Sequence, residues 1–408
     1  ANGLLSDDIF AVANILKVMS LHRVSDIYGP LPVLHFGETE NPYNSQEECY
    51  MHFFETLDSA IAVLKDVVEN NPDAKPLEEV DALYHGDYSK WLKLANSVKL
   101  RLAMRICYVK PDLAKQYAME AVRDGVMETA DDSALFQSWG SITVINPLEK
   151  IWNGYSDTRM GASMDSYLNG YNDPRLPVYF QPVTDGDNKG EYRGVANGMP
   201  NPQQEDYKAM SSPNVQEKST DSPLRWMMAS EVAFLRAEGA MRGWTAEMGG
   251  TAEEFYNKGI ELSFLENGLS ADAAARYAAD ETSKPTDFTD VSAANTKYNI
   301  SALGKIAIKW NSGASEEEQL ERIITQKWIA MFPNGTEAWS EFRRTGYPRL
   351  FPVRYNYPSS GVDTNKQIRR MVFPQSEYSN NGAAVQEAVK LLGGPDNGGT
   401  KLWWDKKN

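Results

Sequence analysis

Between Ser315 and Leu350 the chain reads SEEEQLERIITQKWIAMFPNGTEAWSEFRRTGYPRL, and this stretch limits the folds open to it more than any other. Ser315 with Glu318 makes a capping box: the Ser oxygen takes the N3 amide and the Glu carboxylate reaches back to the Ser amide. Leu320, Ile324, Trp328 and Met331 then recur at helical spacing and lay down one apolar stripe. Pro333-Asn334-Gly335 stops that helix, because Pro lacks the amide hydrogen and Gly frees the backbone. A second short helix carries Trp339 and Phe342 on one face; Arg343, Arg344 and Arg349 follow, and Tyr347-Pro348 ends the unit. The expectation is an antiparallel helix pair, with Trp328 and Trp339 in the core and the arginines as structural hydrogen-bond donors.

Two more capping boxes occur, Ser45 with Glu48 and Thr251 with Glu254. The first opens a helix to about Asn70 with the stripe Phe53, Leu57, Ala60, Leu64 and Val67; the second opens one through about Glu266. Ile9, Val12, Ala13, Leu16 and Met19 mark a helix from Asp7 to about Tyr28, which Gly29-Pro30 stops. Leu31 to Leu34 is extended, since the residue before a proline leaves the α region. Asp87 caps a helix with Trp91, Ala95, Val98, Leu102 and Ile106 on one face, and Pro111 opens another that Gly125 ends. Ser222-Pro223 reads as an N-cap with Pro at N1, opening a helix to about Arg242 that is apolar on two faces and therefore buried. Short helices are expected near 160–170, 271–279 and 383–392, a strand at 368–373, and an aromatic plug at Leu402-Trp403-Trp404-Asp405. Helix pairs of this size are like tetratricopeptide units, which bury their apolar faces by stacking. The expected fold is mostly α, one domain over residues 1–408. Tetratricopeptide-like helix pairs at 1–130 and 223–347 form the scaffold, and long irregular loops run through 131–222 and 348–408.

Composition narrows the function. Formal net charge is −15, which repels phosphate backbones, so nucleic-acid binding is disfavoured. Two cysteines, Cys49 and Cys107, lie in helical patterns where a buried thiol is expected, and they exclude a disulfide framework. No apolar run is long enough to span a membrane. The four histidines, His22, His35, His52 and His85, form no H-E-x-x-H pair. G-x-S-x-G, P-loop and G-x-G-x-x-G patterns are absent too, so no catalytic residue and no cofactor is expected. Asp185 to Gly190 has the outline of a calcium loop, but Lys189 and Ala196 stand where ligands belong, and it reads as a polar turn. No metal site is assigned.

The region 131–222 holds much of the Gly, Pro, Asn and Tyr, and at about 90 residues it is too long for an idle loop. It carries Trp139, Trp152, Tyr155, Tyr171, Tyr179 and Tyr192. Aromatic faces suit the apolar C–H face of a pyranose, with Asn, Asp and Arg nearby for its hydroxyls. Trp139, Trp152, Tyr155 and Tyr192 are the expected stacking platform, and His35 an added polar contact. An α-helical glycosidase with an unrecognised carboxylate pair is the reading of another class.

Six segments, in order, resemble the SusD/RagB family of nutrient-binding outer-membrane lipoproteins, most closely the SusD-like type 2 branch. They are HRVSDIYGPLP at 22–32, NDPRLP at 172–177, SEVAFLRAE at 230–238, TQKW at 325–328 with EAW and RRTGYP at 337–348, FPQSE at 373–377, and LWWD at 402–405. The first departs from the family at Gly29-Pro30, where Gly-Asp is usual. The resemblance implies four tetratricopeptide-like helix pairs carrying irregular loops. It implies a cell-surface lipoprotein held in the outer membrane by an N-terminal lipid, and a segment upstream of Ala1 bearing the lipidated Cys and the family's first helices. It implies a partner, a SusC-like TonB-dependent barrel, and capture of oligosaccharides, or in some members peptides, without catalysis. The acidic surface suits a cationic peptide.

Overall fold

Each of the three capping boxes forms: the amides of Glu48, Glu254 and Glu318 donate to the hydroxyls of Ser45, Thr251 and Ser315. The chain, in a computed structural model, is described over residues 6–39, 41–200, 203–214 and 222–407. Ala1-Asn2-Gly3, from which an upstream segment is expected, lies outside the described residues. The protein is mostly α. In chain order α1 is Asp7–Tyr28, α2 Gln46–Asn70, α3 Tyr88–Arg105 and α4 Pro111–Arg123. Next come α5 Ala162–Gly170, α6 Ala229–Met241, α7 Ala252–Leu265 and α8 Ala271–Ala278. The last are α9 Glu316–Ala330, α10 Gly335–Thr345 and α11 Gln375–Leu392. Successive helices pack on one another, α1 on α2, α2 on α3, α3 on α4, α6 on α7 and α9 on α10. In addition, α6 lies between α3 and α9, as its two apolar faces require.

Expectations change at residues 222–228 and 368–373. Residues 222–228 do not begin α6. Leu224–Met227 is a strand, β2, antiparallel to Ala134–Phe136, β1. Ala134 and Met227 oppose each other, both buried, and Trp226 stacks on Phe136 at 4.7 Å and 15°. That long-range pairing outweighs the local N-cap pattern, and α6 starts only at Ala229. Residues 368–373 form no strand. Their backbone is tied at single points, Arg369 N to Gly398 O at 2.7 Å and Met371 N to Ile27 O at 2.9 Å.

Two cores hold the helices. One joins α1 to α4, α6 and the tail, with Tyr50, Phe53, Trp91 and Trp404 inside. The other joins Tyr167, Tyr171 and Tyr179 of the loop region to Phe234, Tyr256 and Ile324 of α6, α7 and α9. Between the helices lies a buried ionic web. Arg105 of α3 reaches Glu337 and, at 2.5 Å, Glu341, both on α10. Arg101 pairs with Glu231 at 2.7 Å, and Arg344 joins Glu238 and Glu341 at 2.6 Å. Lys327 lies 3.1 Å from Glu341. Arg343 donates to the carbonyls of Asp26 and Arg369. Arg343 and Arg344 are thus structural donors. The tryptophans of the opening stretch are only half-buried, because each packs one side on the helices and leaves the other on a surface furrow.

Candidate functional site

The furrow starts from a turn. The Asn146 side chain accepts the Leu148 amide at 3.0 Å and Pro147 occupies the first helical position, so the chain winds tightly through Pro147–Glu149. It continues as a wider turn, Lys150–Gly154, that carries Trp152. Opposite stands the α9–α10 connection, Phe332 to Asn334. The Trp152 ring lies 5.9 Å from that of Phe332, nearly parallel at 15°. Tyr179 and Phe180 brace Phe332 from below, at 4.8 and 5.1 Å.

Three hollows share Phe332 and Pro333 and merge into one furrow. The largest, about 560 Å³, is lined by Trp152, Tyr179, Trp226 and Phe332 together with Arg23, Asn146, Asn214, Arg225 and Asn267. The second, about 330 Å³, adds Met164, Trp328 and Gln367, and the third, about 320 Å³, adds Trp339. The polar groups are held in place. Asn267 Oδ1 accepts Arg225 Nη2 at 3.0 Å, while its Nδ2 donates to Ser263 O at 2.6 Å. Arg23 projects from α1 with no ion pair or hydrogen bond among the described residues. Among the described residues Glu149 is the one carboxylate in the lining of the largest hollow, so these residues offer no carboxylate pair flanking a bond there. The arrangement presents ring faces beside amide and guanidinium donors. It can bind and orient a polyhydroxylated ligand.

Of the residues singled out from sequence, Trp152 lines the furrow. Tyr155 sits on the same turn, 60% exposed, with Lys150 Nζ 5.8 Å from its ring, and does not line it. Trp139 donates its indole N–H to Glu78 O at 2.6 Å and lies over His85, ring centres 3.5 Å apart. Tyr192 packs against the second core, and its carbonyl accepts Asn169 Nδ2 at 2.8 Å. His35 is exposed on the α1–α2 connection, 3.2 Å from Glu38. The four rings therefore do not converge on one platform: Trp152 and Tyr155 share a turn but only Trp152 lines the furrow, and Trp139 and Tyr192 are held elsewhere. Sequence reasoning missed Phe332 and Trp226 as lining residues. Phe332 had a visible cue, since the residue before a Pro-Asn-Gly turn sits where a helix leaves its packing. Trp226 had none, because Ser222-Pro223 just before it spells a helix start.

The profile of the SusD-like family, described as Susd and RagB outer membrane lipoprotein, matches residues 2–405. A chitin-binding SusD homologue from Flavobacterium johnsoniae is 41% identical with a TM-score of 0.92, over 98% of this chain and 82% of that one. A SusD-like protein from Bacteroides thetaiotaomicron is 41% identical at TM-score 0.91, over 99% and 82%. A SusD homologue from Bacteroides vulgatus is 36% identical at TM-score 0.92, over 98% and 80%. No curated protein matches the chain.

Proposed function

The chain belongs to the SusD-like family of outer-membrane lipoproteins, and from that premise we propose that it captures oligosaccharides at the cell surface for import. It is a binding protein and not an enzyme, as its family is. The observation that carries the reading is the furrow, where Trp152, Tyr179, Trp226 and Phe332 stand beside Asn146, Asn214, Asn267 and Arg225. A pyranose stacks its C–H face on such rings, and the amides and guanidinium take its hydroxyls. The chitin-binding relative supports a saccharide ligand. In this reading residues 1–408 act as one domain. An N-terminal lipid holds it on the outer face of the membrane, and a SusC-like TonB-dependent barrel takes the ligand onward. Trp139, Tyr155, Tyr192 and His35 belong to the proposal as outlying contacts for a longer chain.

Affinity electrophoresis against a glycan panel that includes chitin oligosaccharides tests it. Trp152→Ala should weaken retention on the retaining glycan by about tenfold, the loss of one good stacking contact. Unchanged retention would move the site elsewhere. A cationic peptide is the second reading, favoured by the net charge of −15. Mass spectrometry of molecules that co-purify with the protein separates the two.

A further inference from the structure

A hollow of about 450 Å³ shares no lining residue with the aromatic furrow. One wall is the extended segment 303–307. The other is a face of α9 carrying Glu318, Glu321 and Arg322, and Lys284 and Arg349 complete the rim. Three carboxylates reach this hollow and each is already engaged. Glu281 pairs with Lys309 at 3.0 Å, Glu318 closes the capping box with Ser315, and Glu321 pairs with Arg349 at 3.1 Å.

The cations are left over. Lys284 and Lys305 make no ion pair or hydrogen bond through their amines among the described residues. Arg322 is only 8% exposed, yet its guanidinium meets just two backbone carbonyls, Lys309 O at 3.2 Å and Glu318 O at 3.4 Å. Its Nη2 has no partner among the described residues. The backbone adds donors. The carbonyls of Ile306 and Ile308 turn inward to the hydroxyls of Tyr171 and Tyr256. The amides of Leu303, Lys305 and Ala307 donate to no group among the described residues. In this chain Asp and Glu number 56 against 41 Lys and Arg, so three unpaired cations around one hollow run against the composition.

We propose that this hollow is an anion-binding subsite for a carboxylate or sulfate group carried on a saccharide. Lys284, Lys305 and Arg322 Nη2 supply charge-assisted donors, the strongest kind for such a group. Leu303 and Ala307 flank them with apolar surface for the ring that bears it. The anion preference stands on the cations alone; the saccharide carrier rests on the function proposed above.

Calorimetry at constant ionic strength tests this with four probes: glucuronate, glucose 6-sulfate, glucose and inorganic sulfate. The charge reversal Lys284→Glu with Lys305→Glu alters two exposed, unpartnered side chains, and an unchanged melting temperature confirms that the fold persists. Both acidic sugars should bind more tightly than glucose. The double variant should weaken them by about tenfold or more, and Trp152→Ala should leave them unchanged. Equal binding of acidic sugars and glucose, or wild-type affinity in the double variant, overturns the subsite. Inorganic sulfate binding as tightly as glucose 6-sulfate overturns the saccharide carrier. If Trp152→Ala fails to alter binding of neutral glycans while the acidic sugars behave as expected, the furrow reading falls and the anion subsite stands.

Discussion

Glu341 is the residue on which most of the buried charge converges. It faces Arg105, Arg344 and Lys327, all nearly inaccessible to water. Removing one partner from such a group leaves charges buried without compensation. Glu341→Gln should therefore destabilise the fold by about 3 kcal/mol or more, read as a lower urea midpoint at unchanged slope. A loss under about 1 kcal/mol would show that Glu238 and Glu337 take over its role. The same web fixes a pH response. Burial alone would raise the Glu238 carboxyl, but Arg344 and Arg242 outweigh it and hold it at about 2. Burial likewise opposes Arg105 and Arg101 at Glu337, again with the result at about 2. The unfolded values lie near 4.5, so this stabilisation is complete above that pH and is lost as pH falls toward 2. His22 has the same sign from another cause. Burial pushes it from 6.5 down to about 3, so stability declines from about pH 6.5 downward. Unfolding free energy should thus fall gently below about pH 6.5 and steeply below about pH 4.5. His22→Gln should shrink the upper limb and leave the lower one.

At the scale of elements, helix contacts are set by small residues as much as by stripes. Gly259 of α7 faces the Phe234 ring of α6, where an added Cβ would stand 2.7 Å from ring carbons. Alanine normally favours a helix over glycine by about 1 kcal/mol. Here Gly259→Ala should instead cost about 1–3 kcal/mol by overpacking, measured by chemical denaturation. Helix ends were legible from sequence because capping is local: Ser45, Asp87, Pro111, Thr251 and Ser315 each carry their instruction within a few residues. Residues 224–227 were not. Ser222-Pro223 spells a helix start, and only Phe136, far away in sequence, makes Trp226 a strand residue. The furrow was half legible for the same reason. Trp152 sits in a loop whose composition announces it, whereas its partner Phe332 is brought opposite only by the packing of α9 and α10.

For the whole molecule the tail closes the scaffold. Trp404 is fully buried, donates to Asp26 Oδ1 at 2.8 Å, and lies within 5.4 Å of the Arg105 guanidinium. Its neighbour Asp405 pairs with Arg369 at 2.5 Å. Truncation after Thr400 should destabilise every helix of the first core together, seen as one lowered melting transition and faster limited proteolysis; Trp404→Ala alone should cost about 3–5 kcal/mol. The ionic web draws its members from α1, α3, α6, α9 and α10, so no one of its charges can change without stranding another. At the surface, Trp152, Lys284 and Lys305 stand on separate loops and answer to no such ionic partner. Evolution can thus retarget this chain one loop substitution at a time while its interior stays frozen, and the ligand, not the architecture, becomes the variable that tells one descendant from the next.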